Sequence, residues 1–117
     1  RQTEHEKKPL KLYLIVKEAL KFLQSSIPAD IKITEKISSR AKIKADATQI
    51  HQSVMNLCTN AYHSMKDIGG ELSVSLSEIE IQNPILDLNI EPGIYLKLVV
   101  GDTGFGMNPE ILNKIFE

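Results

Sequence analysis

Amide and imidazole side chains recur along one segment of the chain in a pattern that suits ligand binding. On a helical wheel of about 100° per residue they lie within about 40° of a common direction. From Ala47 to Met65 there is no Asp, Glu, Lys or Arg, although a helix facing solvent normally carries charges. Amides can offer an oxygen to a metal ion and N–H donors to anionic oxygens. The alternative is a face that packs against another element and satisfies its amides internally. The residues are Gln49, Gln52, Asn56, Asn60 and His63.

A short turn, Asp-Thr-Gly-Phe-Gly, is the second feature whose residue types could form a functional site. Asp102 has the same parity as the apolar residues of the preceding predicted strand, so its carboxylate should emerge at the rim of the core. A carboxylate there needs hydrogen-bond donors, from the following turn or from a ligand such as an exocyclic amine. Gly104 and Gly106 would allow the backbone to approach a ligand closely. An ordinary Asx turn has the same composition, and the spacing matches neither a Walker loop nor a Rossmann fingerprint.

The other residues with reactive side chains do not form a convincing site. His51 and Cys58 share one side of the predicted helix, but His63 points about 140° away and a fourth zinc ligand is missing. Cys58 lies in an apolar stretch, where a thiol is usually an inert part of the core. We therefore predict neither a zinc centre nor a cysteine nucleophile.

Two helices are predicted to position these groups. Helical spacing begins at Pro9 and places five apolar residues on one face before Ile27-Pro28 ends the helix. Asp46 is a suitable N-cap for a long helix to about Lys66, which Gly69-Gly70 should stop. The apolar residues of the first helix are Leu12, Val16, Ala19, Leu20 and Leu23.

Alternating apolar residues predict four strands. They cover 31–37, 41–45, the segment beginning at Leu72, and the segment from Ile94 to Val100. A phase change at Ile79 and Ile81 suggests a β-bulge, and Pro109 is expected to open a short final helix. Two helices with strands joined by loops predict the α+β class, as a two-layer α/β sandwich.

Composition limits the classes of partner. The chain has 117 residues, 42% of them apolar, and a formal net charge of −1. These values fit one globular domain and give no electrostatic reason to expect nucleic acid or direct membrane contact. The single cysteine excludes an intramolecular disulfide and favours a reducing compartment, which predicts a cytoplasmic location. No stretch approaches the roughly 18 apolar residues of a membrane span, although a parent protein could still be anchored.

Taken together, these motifs identify a family by resemblance. The run HQSVMNLCTNAYHSM (51–65), then DTGFGM (102–107), then IFE (115–117) resembles the ATP-binding domain of sensor histidine kinases, hybrid kinases in particular. The order matches the N box, the first glycine box and the F box of the GHKL, or Bergerat, superfamily, which includes gyrase B and MutL. The resemblance covers roughly residues 10–117.

The resemblance implies a role for each candidate residue. Asn60 would coordinate the Mg²⁺ that bridges the ATP phosphates, with Asn56 beside the phosphates and His63 near them. Asp102 would accept a hydrogen bond from the adenine amine. Gly104 and Gly106 would shape the adenine pocket, and Phe116 would anchor a lid over the nucleotide.

The resemblance also implies a reaction. ATP-hydrolysing relatives have a glutamate at the position of Asn56, and an amide cannot act as a general base. This favours transfer of the γ-phosphoryl group to a protein histidine. The open alternatives are a GHKL-type serine kinase or ATPase, and a degenerate domain that serves only as an interaction platform.

Several family elements are expected outside this sequence. We interpret 1–8 as a linker from helices that carry the phospho-acceptor histidine and the dimer contacts, and 9–117 as a partial ATP-binding domain. The second glycine-rich box would follow Phe116. The chain alone is therefore not expected to autophosphorylate. The implied partners are the helical hairpin and the receiver domain of a response regulator, in a parent that is a homodimer.

Overall fold

The computed structural model of the protein describes residues 6–103 and 109–116. The elements, in chain order, are β1 (Lys8–Lys11), α1 (Leu12–Gln24), β2 (Ile31–Ile37), β3 (Lys42–Ala45), α2 (Ala47–Met65), β4 (Gly70–Ile81), a short 3-10 helix (Leu86–Leu88), β5 (Gly93–Asp102) and β6 (Glu110–Lys114).

The strands form two sheets. The larger has the order β2-β4-β5-β6, and the smaller pairs β1 with β3. β2 runs parallel to β4, whereas β4 with β5 and β5 with β6 are antiparallel. Both helices contribute to one apolar core with residues of β4 and β5. This arrangement confirms the predicted α+β class with helices packed on one sheet.

The core follows from the alternation of side chains along the two central strands. Leu72, Val74 and Leu76 of β4 are buried, and Val100 and Leu98 lie directly opposite the last two on β5. All five apolar residues predicted for the inner face of α1 are also buried. Fully burying a side chain of this size contributes about 1.5–3 kcal/mol, so this cluster supplies most of the apolar driving force for the fold.

The long helix begins and ends as its sequence predicts. Asp46 Oδ1 accepts hydrogen bonds from the backbone N–H groups of Thr48 (2.9 Å) and Gln49 (3.3 Å), which have no partner inside the helix. At the other end, Gly69 has a φ of 72° and its N–H donates to the carbonyl oxygen of Met65 at 2.8 Å. Glycine adopts this left-handed conformation without steric penalty.

The predicted start of the first helix at Pro9 is wrong. Pro9 lies in β1, opposite Lys44 of β3, and α1 begins at Leu12. Helical spacing of the apolar residues starts only with Leu12, and Pro9 suits a short strand at a sheet edge.

The predicted bulge in β4 is also wrong. Pairing with β5 continues without interruption from Leu72 opposite Asp102 to Ile81 opposite Gly93. Beyond Leu76, the helix-facing positions are polar and exposed, and the apolar residues move to the other face. There Ile79 lies opposite Tyr95, which is 8% exposed and whose hydroxyl donates to the carbonyl oxygen of Glu91 at 2.7 Å.

The short helix predicted after Pro109 is a strand. Residues Glu110–Lys114 form β6 and pair with β5, with Ile111 opposite Leu98 and Leu112 opposite Lys97. The edge of β5 presents unpaired N–H and C=O groups, and satisfying them outweighs a weak local helix preference.

Candidate functional site

Buried and exposed residues of α2 lie on two different faces of the helix, as the helical wheel predicts. Val54, Cys58, Ala61 and Met65 are buried against the sheet. The polar side chains predicted for the opposite stripe are all exposed: Gln49, Gln52, Asn56, Asn60 and His63. The long helix therefore presents an uncharged polar surface beside the apolar core.

Asp102 is the last residue of β5. It lies directly opposite Leu72 in the β4–β5 ladder, on the face that carries the buried residues of both strands. Its side chain is half-buried. A carboxylate at the edge of the core can accept hydrogen bonds with less competition from water than a fully exposed one.

A cavity of about 300 Å³ lies between α2 and the end of β5. Asn60 of α2 and Asp102 of β5 both line it. The volume is at the lower limit of the range for small-molecule sites, roughly 300–1,000 Å³. Among the residues that the structure describes, the others lining it are Leu57, Ala61, Ser64 and Pro109.

The candidate residues do not all come together. Asn56 and His63 are exposed on α2 and do not line this cavity within the described part of the chain. The ring of His63 is tilted by 48° against that of Tyr62, with centroids 5.4 Å apart. Gly104 and Gly106 lie outside the described residues.

One hydroxyl residue that lines the cavity and one that lies next to Asp102 in the chain were not predicted from the sequence. Ser64 lines the cavity, and its Oγ donates to the carbonyl oxygen of Asn60 at 3.2 Å. Thr103 follows Asp102, and its Oγ1 accepts from the N–H of Glu71 at 3.2 Å. The signal for Ser64 was its position one helical turn after Asn60, on the same side of the helix.

The side chains that line the cavity determine which kinds of ligand group can bind there. The carboxylate of Asp102 can accept hydrogen bonds from an amine, and the apolar wall of Leu57 and Ala61 suits a flat ring. The amide oxygen of Asn60 can supply one ligand to a hard divalent cation, which suits Mg²⁺ because that ion usually keeps several waters. In residues 6–103 and 109–116, no three His, Cys, Asp or Glu side chains form a group that could hold a metal ion alone.

The residues of the rejected zinc set lie in different environments. His51 Nε2 is 3.8 Å from Glu18 Oε1 on the surface between the two helices. Cys58 is buried, and this burial raises the pKa of its thiol to about 11. A thiol with so high a pKa is almost entirely protonated at neutral pH. The prediction that Cys58 belongs to the core is confirmed.

Comparison with known proteins identifies the fold. No family model matches the chain. Three solved structures of the catalytic domain of histidine kinase ThkA, all nucleotide-free, share its architecture. The first, an orthorhombic form, has a TM-score of 0.65 at 18% identity and covers 85% of this chain and 60% of that domain. Forms with isopropanol and 1,2-propanediol have TM-scores of 0.59 and 0.60 at 15% identity, each covering 82% of this chain and 58% of that domain.

The chain thus spans about three fifths of the length of these ThkA domains. None of the helices that the structure describes is long and apolar enough to cross a lipid bilayer.

Proposed function

We propose that this chain, which has the fold of a histidine kinase catalytic domain, binds ATP and supplies the γ-phosphoryl group to a histidine of a two-component sensor kinase. One observation carries the proposal. Asn60 and Asp102, which the sequence motifs single out independently, line the same cavity although they come from α2 and β5.

In this proposal Asp102 recognises the adenine. Its carboxylate accepts a hydrogen bond from the exocyclic amine, while Leu57 and Ala61 contact the ring. A hydrogen bond to a charged group contributes about 1.5–3 kcal/mol. Gly104 and Gly106 are proposed to shape the same pocket by allowing the backbone to approach the base.

Asn60 is the proposed contact to the phosphates. Its amide oxygen would be the protein ligand of Mg²⁺, and Asn56, one turn earlier on α2, would contact the phosphates or the waters of the metal. His63 lies further along the exposed face, where a protonated imidazole would attract phosphate oxygens. When bound, Mg²⁺ neutralises charge on the phosphate oxygens and orients them.

Asn56 favours transfer over hydrolysis. An amide cannot remove a proton from water at neutral pH, so this chain lacks a general base at that position. In the proposed transfer the bond from the γ-phosphorus to the bridging oxygen breaks, and ADP leaves with that electron pair. An imidazole nitrogen forms the new bond to phosphorus. A histidine on a helical hairpin of the parent kinase and the receiver domain of a response regulator are the proposed partners, in the cytoplasm.

The test is ATP affinity by calorimetry in the full-length protein that contains this segment. We expect Asp102→Ala to weaken ATP binding by about 10- to 150-fold. The matched control is Asp87→Ala, an exposed acid in the turn beyond the far end of β4. Equal ATP affinity for both variants would contradict the assignment of Asp102. Radiolabelled phosphate in an acid-stable linkage would exclude histidine transfer in favour of a serine kinase.

A further inference from the structure

The outer face of the small β1–β3 sheet carries a concentration of positive charge. In the antiparallel register, Leu10 lies opposite Ile43 on the inner face, where Ile43 is buried. On the outer face Lys11 lies directly opposite Lys42, and Lys44 follows two residues along β3. All three lysines are exposed. We call Lys11, Lys42 and Lys44 the basic face.

This arrangement works against the stability of the fold. Residues directly opposite on one face of an antiparallel pair have Cβ atoms about 4.5–5.5 Å apart, and like charges there repel. Among the described residues, none of the three lysines has a carboxylate oxygen within 4.0 Å, so no salt bridge offsets this repulsion. The basic face is therefore a local cluster of like charges in a chain whose net charge is −1.

The surroundings extend the positive surface and add polar groups. Arg40, two residues before Lys42, is exposed and places its guanidinium carbon 5.3 Å from the centre of the Tyr13 ring. A depression of about 210 Å³ beside β3 is lined by Lys44 and Lys7, by the polar residues Gln49, Ser53 and Asn113, and by the buried Asp46. The ammonium, amide and hydroxyl groups can donate hydrogen bonds to a carboxylate, whereas the Asp46 carboxylate caps α2 by accepting from two backbone N–H groups.

We propose that the basic face is a docking surface for an acidic segment of a partner protein, one with Asp or Glu side chains at alternating positions. Alternate residues of an extended segment are about 6.8 Å apart, the same repeat as Lys42 and Lys44 along β3. The proposal is independent of the nucleotide site, because β1 and β3 contribute no side chain to the lining of that cavity.

A protein carboxylate fits better than the other anionic partners. Nucleic-acid sites combine broad positive charge with arginine forks or stacking aromatic rings. The outer face of the sheet has three lysines and Pro9, and the neighbouring Arg40 and Tyr13 contact each other. Binding to an anionic membrane gains only about 1 kcal/mol per lysine and needs apolar insertion to become stable. The basic face has no large apolar side chain to insert.

The experiment measures binding of a fluorescein-labelled peptide of alternating glutamate and glycine to the full chain by fluorescence anisotropy. We expect saturable binding that weakens as NaCl rises from about 0.05 M to about 0.5 M. The variant K42E/K44E should bind about tenfold more weakly or worse. The control K21E/K66E has the same change in net charge at exposed sites, at the C-terminal ends of α1 and α2, and should bind like the wild type.

Thermal unfolding distinguishes docking from a structural role. Lys42→Glu places a carboxylate opposite Lys11, so the melting temperature should stay equal or rise while binding falls. If K42E/K44E unfolds, K42Q/K44Q removes the charge without reversing it and should show the same loss of binding. The proposal is overturned if wild type does not bind the peptide or if K42E/K44E binds it as tightly as the control K21E/K66E. It is also overturned by tighter binding to phosphatidylserine vesicles or single-stranded DNA than to the peptide.

Discussion

Thr103 Oγ1 lies 3.7 Å from Met65 Sδ, so the residue after Asp102 contacts the last turn of the helix that carries Asn60. The same hydroxyl oxygen accepts the N–H of Glu71 at the start of β4. These contacts join α2, β4 and β5 at the end of the sheet where the candidate cavity lies. This junction lies one residue after Asp102 and five residues after Asn60 along their elements.

Gly70→Ala tests the junction. Gly70 has a φ of 140°, and a Cβ there would meet Thr103 Oγ1 and Met65 Sδ. We expect the substitution to lower the free energy of unfolding by about 1–3 kcal/mol, measured by urea denaturation. Thr103→Ala removes one obstructing atom, so the double variant should lose less than the sum of the single variants. Strict additivity would contradict a direct contact.

Asn60→Ala tests the proposed metal ligand. If the amide oxygen binds Mg²⁺, the variant should lose the part of ATP affinity that depends on Mg²⁺ and keep the affinity measured with EDTA. The matched control is Gln52→Ala, an exposed amide on the same stripe that does not line the cavity. We expect a loss of about tenfold or more for Asn60→Ala. An equal loss with and without Mg²⁺ would argue for a contact to the nucleotide instead.

The fold could be predicted where a short segment determines its own structure. Alternation along β4 and β5, the 3.6-residue pattern of α1 and the acidic N-cap of α2 are local signals, and the structure confirms each of them. β1 and β6 are defined by their partners. Pro9 and Leu112 lie in strands because the edges of β3 and β5 are available for pairing beside them. The sequence of a short segment does not indicate such pairing with a distant strand.

The sequence predicts which side of α2 faces the candidate site, but it does not predict which turn of the helix lies there. A wheel shows that Asn56, Asn60 and His63 share one side of α2, but it does not show which turn the end of β5 approaches. The structure brings Asn60 and Ser64 to the cavity. The roles proposed for Asn56 and His63 stay predictions. Thr103 was missed because a lone hydroxyl residue has no distinctive sequence pattern. For Ser64 the one signal was its position a helical turn after Asn60.

Asp46→Ala should destabilise the domain through the first turn of α2. Asp46 is 4% exposed and caps two backbone N–H groups, and losing an N-cap costs about 0.5–2 kcal/mol. Urea denaturation should show this loss at neutral pH, and Asp46→Asn should lose less because its amide oxygen can still accept. Asp67→Ala, an exposed acid just after the same helix, is the control and should stay within about 0.5 kcal/mol of wild type.

Cys58 should make the stability depend on pH in the alkaline range. Burial raises the pKa of its thiol from 9.0 to about 11, and unfolding returns the thiol to water. Between these values the unfolded state releases the proton and the folded state keeps it, so the free energy of unfolding falls as pH rises. The stabilising contribution is complete below about pH 9 and is lost as pH rises through about 11. A shift of this size corresponds to roughly 2–3 kcal/mol in total.

The Cys58→Ala variant isolates this effect from the titration of lysines and tyrosines. Urea denaturation at about pH 8 and about pH 10.5 should show the difference between wild type and variant shrinking by about 1–2 kcal/mol. At about pH 8, iodoacetamide should modify folded wild type far more slowly than the unfolded chain, because the thiolate is scarce and Cys58 is 0% exposed. Rapid alkylation of the folded protein, or a difference that is constant with pH, would show that the thiol is accessible to solvent.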